Sequence, residues 1–160
     1  MKEIKIESNF IVYNSINELP GNIKSLMHEA IDARKVAYAP YSKFEVGTAL
    51  LLDNGEIVTG NNQENASYPS GLCAERTAIY YAGSKYPEAK ILKIAISASS
   101  KNQETSTPIP PCGACRQAIS EYEVKQDSPI EIYFMGKVGE VIKSDSLVNL
   151  LPFVFKKAVL

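Results

Sequence analysis

Three cysteines hold the reactive chemistry of this sequence: Cys73, Cys112 and Cys115. Cys112 and Cys115 form a C-x-x-C, a spacing used by zinc sites and redox dithiols and also produced by chance. Pro111-Cys112-Gly113-Ala114-Cys115 reads as the opening of a helix, and residues at i and i+3 of a helix share a face, so the two sulfurs can converge on one ion. Cys73-Ala74-Glu75, after Ser70-Gly71, opens a second helix. A helix N-terminus favours negative charge and lowers thiol pKa, which promotes the thiolate that zinc requires. The third cysteine, followed at +2 by glutamate, and the proline ahead of the pair favour zinc over a redox dithiol. Three thiolates on a tetrahedral zinc leave one open position, the feature that separates catalytic from closed structural sites. Water there ionises near neutral pH. Glu75 either ligates the ion, which closes the site, or stands beside the water as a base, which makes the site hydrolytic. The spacing leaves both open. His28, the one histidine, lies on the flank of the first helix and reads as a solvated imidazole.

These residues need elements to position them. Ile4, Ile6, Phe10 and Val12 alternate across Lys2 to Asn14, which predicts an N-terminal strand. Ile23, Leu26, Met27, Ala30 and Ile31 recur at the spacing of an amphipathic helix, which Tyr38-Ala39-Pro40 ends. Glu45 to Leu52 and Glu56 to Asn61 flank Asp53-Asn54-Gly55, a hairpin signal. Helical composition over Leu72 to Ala82 precedes a buried strand, Ile91 to Ala98. A polar loop, Ser99 to Pro110, leads to a helix over Cys112 to Glu123. Strands are predicted over Ile130 to Met135 and Glu140 to Lys143, and a last short helix over Leu147 to Leu151. The order β-α-ββ-α-β-α-β-β-α implies an α/β fold with helices on both faces of one mixed sheet.

The chain has 160 residues, 45% of them hydrophobic, enough for one globular domain with its own core. Seventeen basic residues against eighteen acidic give a net charge of -1, without the basic excess of a nucleic-acid or membrane-surface binder. No apolar run reaches the ~20 residues of a membrane span. The N-terminus lacks the apolar stretch of a signal peptide, so a cytoplasmic location is expected.

C-A-E followed by P-C-x-x-C resembles the zinc-dependent base deaminases. Asn62-Gln63-Glu64-Asn65-Ala66-Ser67-Tyr68-Pro69, Cys73-Ala74-Glu75-Arg76-Thr77-Ala78 and Pro111-Cys112-Gly113-Ala114-Cys115-Arg116-Gln117 narrow this to the three-cysteine, tetrameric cytidine deaminases. Tyr41-Ser42-Lys43-Phe44-Glu45-Val46-Gly47 and Leu150-Leu151-Pro152 are similar as well, so the likeness covers roughly residues 22 to 155. It implies a three-layer α/β/α fold with a five-stranded mixed sheet, preceded here by an extension strand. Residues 1–160 would form one domain, with 1–19 an extension and 20–160 the core.

The resemblance further implies one zinc per subunit on Cys73, Cys112 and Cys115, and Glu75 as the proton shuttle in hydrolysis of cytidine and 2′-deoxycytidine to uridine and 2′-deoxyuridine, a step of pyrimidine salvage. Asn62 and Glu64 would bind the ribose 3′-hydroxyl; two apart at the end of a predicted strand, they leave the same face and suit a sugar hydroxyl. Phe44, by itself an ordinary core residue, resembles the aromatic that packs on the pyrimidine. The backbones of Ala66 and Ala74 resemble the groups that read the base edge. Arg76 follows Glu75 and is placed to donate hydrogen bonds to the sulfurs. Tyr68 resembles a residue at the subunit contact. Phe155 takes the place of an aromatic that reaches a neighbouring subunit's site, and a homotetramer is implied.

Three other readings compete. A deaminase of the same fold acting on another amino-heterocycle, such as a blasticidin-like nucleoside, is opposed by Asn62-Gln63-Glu64-Asn65. A structural zinc module requires a fourth protein ligand, with Glu75 the nearby candidate. A polynucleotide-editing deaminase is disfavoured by the absence of tryptophan and of excess positive charge.

Overall fold

The computed structural model describes residues 1–156; the last four residues of the expected 1–160 domain lie outside the described residues. Its strands are β1 (Ile11–Tyr13), β2 (Phe44–Leu52), β3 (Ile57–Asn61), β4 (Ile91–Ser100), β5 (Glu131–Met135) and β6 (Val141–Ser144). The α-helices are α1 (Gly21–Lys35), α2 (Ala74–Lys85) and α3 (Gly113–Gln126). All six strands form one sheet in the order β1-β6-β5-β4-β2-β3. The β4–β5 pair is parallel and the other pairs are antiparallel, so the sheet is mixed as expected.

Strand alternation divides the core into two layers. Ala49, Ala95 and Tyr133 stand side by side across β2, β4 and β5 and pack with Ile23, Leu26, Met27 and Ala30 of α1. One residue further along, Leu50, Ile94 and Ile132 face the other way, against Ile79 of α2 and Ile119 of α3. Small residues dominate the first row and branched ones the second, a period-two pattern that reads directly as one face per helix layer. Each fully buried aliphatic side chain here contributes about 1.5–3 kcal/mol, and Ile79→Ala should cost about 2–5 kcal/mol.

The hairpin turn falls where Asn54-Gly55 predicts it, with Gly55 at a φ of 85°. Gly60 on β3 matters for the site. A Cβ at that position would lie 2.6 Å from Ala78 N and 2.7 Å from Ala74 O, so the start of α2 seats on β3 only because residue 60 has no side chain.

The N-terminal segment departs from expectation. The strand predicted over Lys2 to Asn14 is confined to Ile11–Tyr13, paired with β6. Ile4, Ile6 and Phe10 are exposed, so the alternating pattern there has no buried face to support it. The short helix predicted over Leu147 to Leu151 is a 3₁₀ turn, Leu147–Asn149, opened by the Ser146 side chain. No helix among the described residues is long and apolar enough to cross a membrane.

Candidate active site

Two helix starts and one strand end build the site. Cys73 is the N-cap of α2 and Cys112 the N-cap of α3, both in extended backbone geometry. Neither side chain caps its helix, so both sulfurs are left free at the positive ends of helix dipoles. Cys115, fully buried one turn into α3, completes the set. The three sulfurs lie within 4.8 Å of one another, and among the described residues no fourth histidine, carboxylate or thiol joins the cluster. Cys73 and Cys112 are 3.8 Å apart, Cys112 and Cys115 3.5 Å.

This donor set fits zinc: three soft thiolates within reach of one centre, with the fourth tetrahedral position left without a protein ligand. The surrounding charge agrees. The neighbouring Cys115 thiol, aided by Arg76, pulls the Cys73 thiol down to about 5, while burial opposes it. Cys115 is held well above the usual thiol range by its contact with Cys73 and by burial, so a metal is needed before all three ionise. Arg76 Nη2 donates to Cys73 Sγ at 3.5 Å, and its Nε–H is buried without an acceptor.

Glu75 is buried in the first turn of α2. Burial first, and then the Cys73 charge, push its carboxyl up to about 7. A carboxyl poised there both takes and gives a proton near neutral pH. Its carboxyl touches the Cys115 thiol but is not one of the three ligand atoms that cluster within 4.8 Å, which suits a base beside the ion.

A cavity of about 580 Å³ opens beside Cys73 and Arg76 and is lined by Asn62, Glu64 and Tyr68. These five expected residues are brought together. Asn62 and Glu64 lie just beyond β3, where Gln63 bridges to Tyr38 and Leu72 and keeps the segment extended. The Asn62 side chain is engaged with β2: Oδ1 accepts from Val46 N at 2.8 Å and Nδ2 donates to Phe44 O at 2.9 Å. Glu64 accepts from the Tyr41–Ser42 turn.

Other expected residues fall elsewhere. Phe44 is half-buried at the start of β2, Ala66 is exposed and Ala74 is fully buried, and none of the three lines the cavity. Phe155 is exposed, with its carbonyl accepting from Gln117 Nε2 at 3.0 Å. His28 is exposed on α1.

Sequence reasoning missed two supports of the metal loop. Arg116 Nε donates to Pro111 O at 2.8 Å and Nη1 to Leu150 O at 2.9 Å, fixing the residue before Cys112. Thr105, buried in the polar loop, accepts from Ser100 N through Oγ1 at 2.9 Å and from Lys137 N through its carbonyl at 2.6 Å. A Cβ at Gly136 would lie 2.9 Å from Thr107 O, so that glycine lets the loop lie against the end of β5. Arginine directly after the C-x-x-C was the one available signal.

A family model described as "Cytidine and deoxycytidylate deaminase zinc-binding region" matches residues 20–127. The chain belongs to that deaminase family. Among its relatives, the cytidine deaminase of Halalkalibacterium halodurans is 42% identical over 130 residues, 81% of this chain and 91% of that protein. The cytidine deaminase of Sporosarcina psychrophila is 38% identical over 136 residues, 85% of this chain and 93% of that protein. A crystal structure of cytidine deaminase from Burkholderia pseudomallei superimposes with a TM-score of 0.71 at 36% identity, covering 86% of this chain and all of that one. The α/β fold is that of the family, its three clustered cysteines could hold the zinc that the family model names, and the six-stranded sheet is the expected five strands plus the terminal β1.

Proposed function

We propose that this protein is a zinc-dependent hydrolase that converts cytidine and 2′-deoxycytidine to uridine and 2′-deoxyuridine with release of ammonia, in pyrimidine salvage. One observation carries the reading: three sulfurs lie within 4.8 Å with no fourth protein ligand among the described residues, and one of them, Cys73, lines the same cavity as Asn62 and Glu64. The relatives named above support cytidine as the substrate.

Cys73, Cys112 and Cys115 hold one zinc per subunit, which supplies Lewis-acid activation of the attacking water. Glu75 takes the proton that water sheds and delivers it to N3 of the cytosine ring. Once C4 has gained its oxygen, the same carboxylate takes the second proton from that oxygen and hands it to the departing amino group, so water and cytidine become uridine and ammonia. Arg76 draws charge off the sulfurs. Asn62 and Glu64 hold the sugar hydroxyl; the family resemblance gives Phe44 the face of the pyrimidine and the Ala66 and Ala74 backbones its edge, although none of the three lines the cavity. One group moving several protons is worth at least the ~10²–10⁴-fold of ordinary acid–base catalysis.

A homotetramer in the cytoplasm is part of the same reading. Tyr68, Phe153 and Phe155 are exposed, with 77%, 76% and 62% of their surface accessible, which suits side chains awaiting a neighbouring subunit. Phe155 would then reach the next subunit's cavity. Residues 1–19 are read as an extension and 20–160 as the catalytic core.

Ammonia release from cytidine, with and without a chelator, tests the function. Zinc-dependent release is expected. A zinc-loaded chain that leaves cytidine intact while acting on a blasticidin-like nucleoside would transfer the reading to the other substrate. Light scattering giving a monomer would remove the tetramer.

A further inference from the structure

Glu64 is held by one turn of chain. Tyr41 N–H and Ser42 N–H reach its Oε2 at 2.8 and 3.3 Å, and the Ser42 hydroxyl donates to Oε1. Ser42 Oγ also accepts from Phe44 N–H at 3.0 Å, which occupies a lone pair and aims the hydroxyl proton at Glu64. A carboxylate offers about four acceptor positions. Three are filled, and the remaining one is on Oε1, the oxygen that Ser42 orients.

Asn62 complements this. One lone pair of its oxygen and one amide proton are engaged by β2, so one N–H is left over. The cavity thus keeps one spare acceptor on Glu64 and one spare donor on Asn62, the pair that a single hydroxyl group satisfies. Hydrogen bonding from Ser42 is also the leading reason that the Glu64 carboxyl is held below its ordinary range, with the Tyr41 and Ser42 amides and nearby Lys43 acting in the same sense and burial opposing them. An ionised Glu64 accepts only, so it favours a ligand that brings a proton and disfavours a phosphate ester at the same place.

We propose that Ser42 is a positioning residue: its hydroxyl fixes the free position of Glu64 so that the cavity selects nucleosides with an unmodified sugar hydroxyl there. This rests on the reading above that Glu64 takes the ribose 3′-hydroxyl. Ser42 acts through Glu64, so its removal should weaken binding of ground and transition states alike.

The test compares steady-state kinetics on cytidine and 3′-deoxycytidine for wild type, Ser42→Ala and Ser42→Thr, each checked for zinc content and melting temperature. In Ser42→Ala the KM for cytidine should rise about tenfold, the loss expected for one hydrogen bond to a charged group, with kcat within about twofold. Its kinetics on 3′-deoxycytidine should match wild type, so the preference between the two nucleosides shrinks by about the same tenfold factor. Ser42→Thr, which keeps the hydroxyl, should restore the preference. Should Ser42→Ala fail to fold, Ser42→Gly carries the same expectation. A folded Ala or Gly variant with the full wild-type preference overturns the proposal while leaving Glu64 its sugar role. A wild-type enzyme that does not distinguish the two nucleosides overturns both.

Discussion

Arg76 Nη2 reaches Cys73 Sγ at 3.5 Å from one turn further along α2, while the Nε–H of the same side chain is buried without an acceptor. Three thiolates on Zn²⁺ carry a net charge of -1, which makes the ion a weaker acidifier of water. A guanidinium against the sulfurs offsets that charge. Arg76→Ala should therefore lower turnover by about 10–100-fold and lower zinc content much less. Parallel measurement of bound zinc and ammonia release checks this; unchanged turnover would mean that the helix dipoles suffice.

Arg116 ties Pro111 to Leu150 just ahead of Cys112. Arg116→Met keeps the length of the side chain but frees both carbonyls. Competition against a zinc chelator should show affinity weakened by about tenfold, with the fold intact by circular dichroism. Wild-type affinity would exclude Arg116 from the presentation of the metal loop.

Burial and the Cys73 charge raise the Glu75 carboxyl to about 7 from its ordinary value near 4.5. A raised carboxyl favours the protonated form in the fold. Its penalty is absent below the unfolded value and grows as pH rises through the folded one, so the metal-free chain should lose about 3 kcal/mol between pH 4.5 and 7. Glu75→Gln removes that loss. Urea unfolding of both metal-free proteins should give converging stabilities at low pH and a more stable variant at pH 8; curves that stay parallel would contradict the assignment.

Glu131 shows the opposite sign. Although burial opposes it, hydrogen bonds from Lys143 and Lys93 bring its carboxyl down to about 2, with Lys93 Nζ at 2.6 Å and Lys143 Nζ at 2.8 Å. The stabilisation is present above the unfolded value near 4.5 and is lost as pH falls toward 2. Glu131→Gln should cost about 1–3 kcal/mol at pH 7, and the gap should close in acid. Thermal melts across that range check it.

Short-range spacing carried most of this site. Cys73 with Glu75, and Cys112 with Cys115, sit within one turn of chain, so helix periodicity alone placed their side chains. The two core layers were legible for the same reason, in the alternation of Ala49 and Leu50 or Ala95 and Ile96. What remained hidden depends on register between distant segments. Asn62 reads as a free amide until β2 comes alongside and takes up its side chain through Phe44 and Val46. Ser42 gains its partner from 22 residues away, and Arg116 binds a carbonyl 34 residues on. The N-terminal pattern failed in the reverse sense, since Ile4 and Ile6 alternate correctly but meet no surface that buries them.

The central claim is a zinc on three sulfurs with Glu75 beside it rather than on it. Zinc X-ray absorption of wild type and Glu75→Gln, loaded with one equivalent of metal, tests this most directly. The prediction is three sulfurs at about 2.3 Å and one light atom at about 2.0 Å in both proteins, with ammonia release from cytidine lost only in the variant. A light-atom shell that disappears or lengthens when Glu75 becomes glutamine would make Glu75 a ligand and contradict the account.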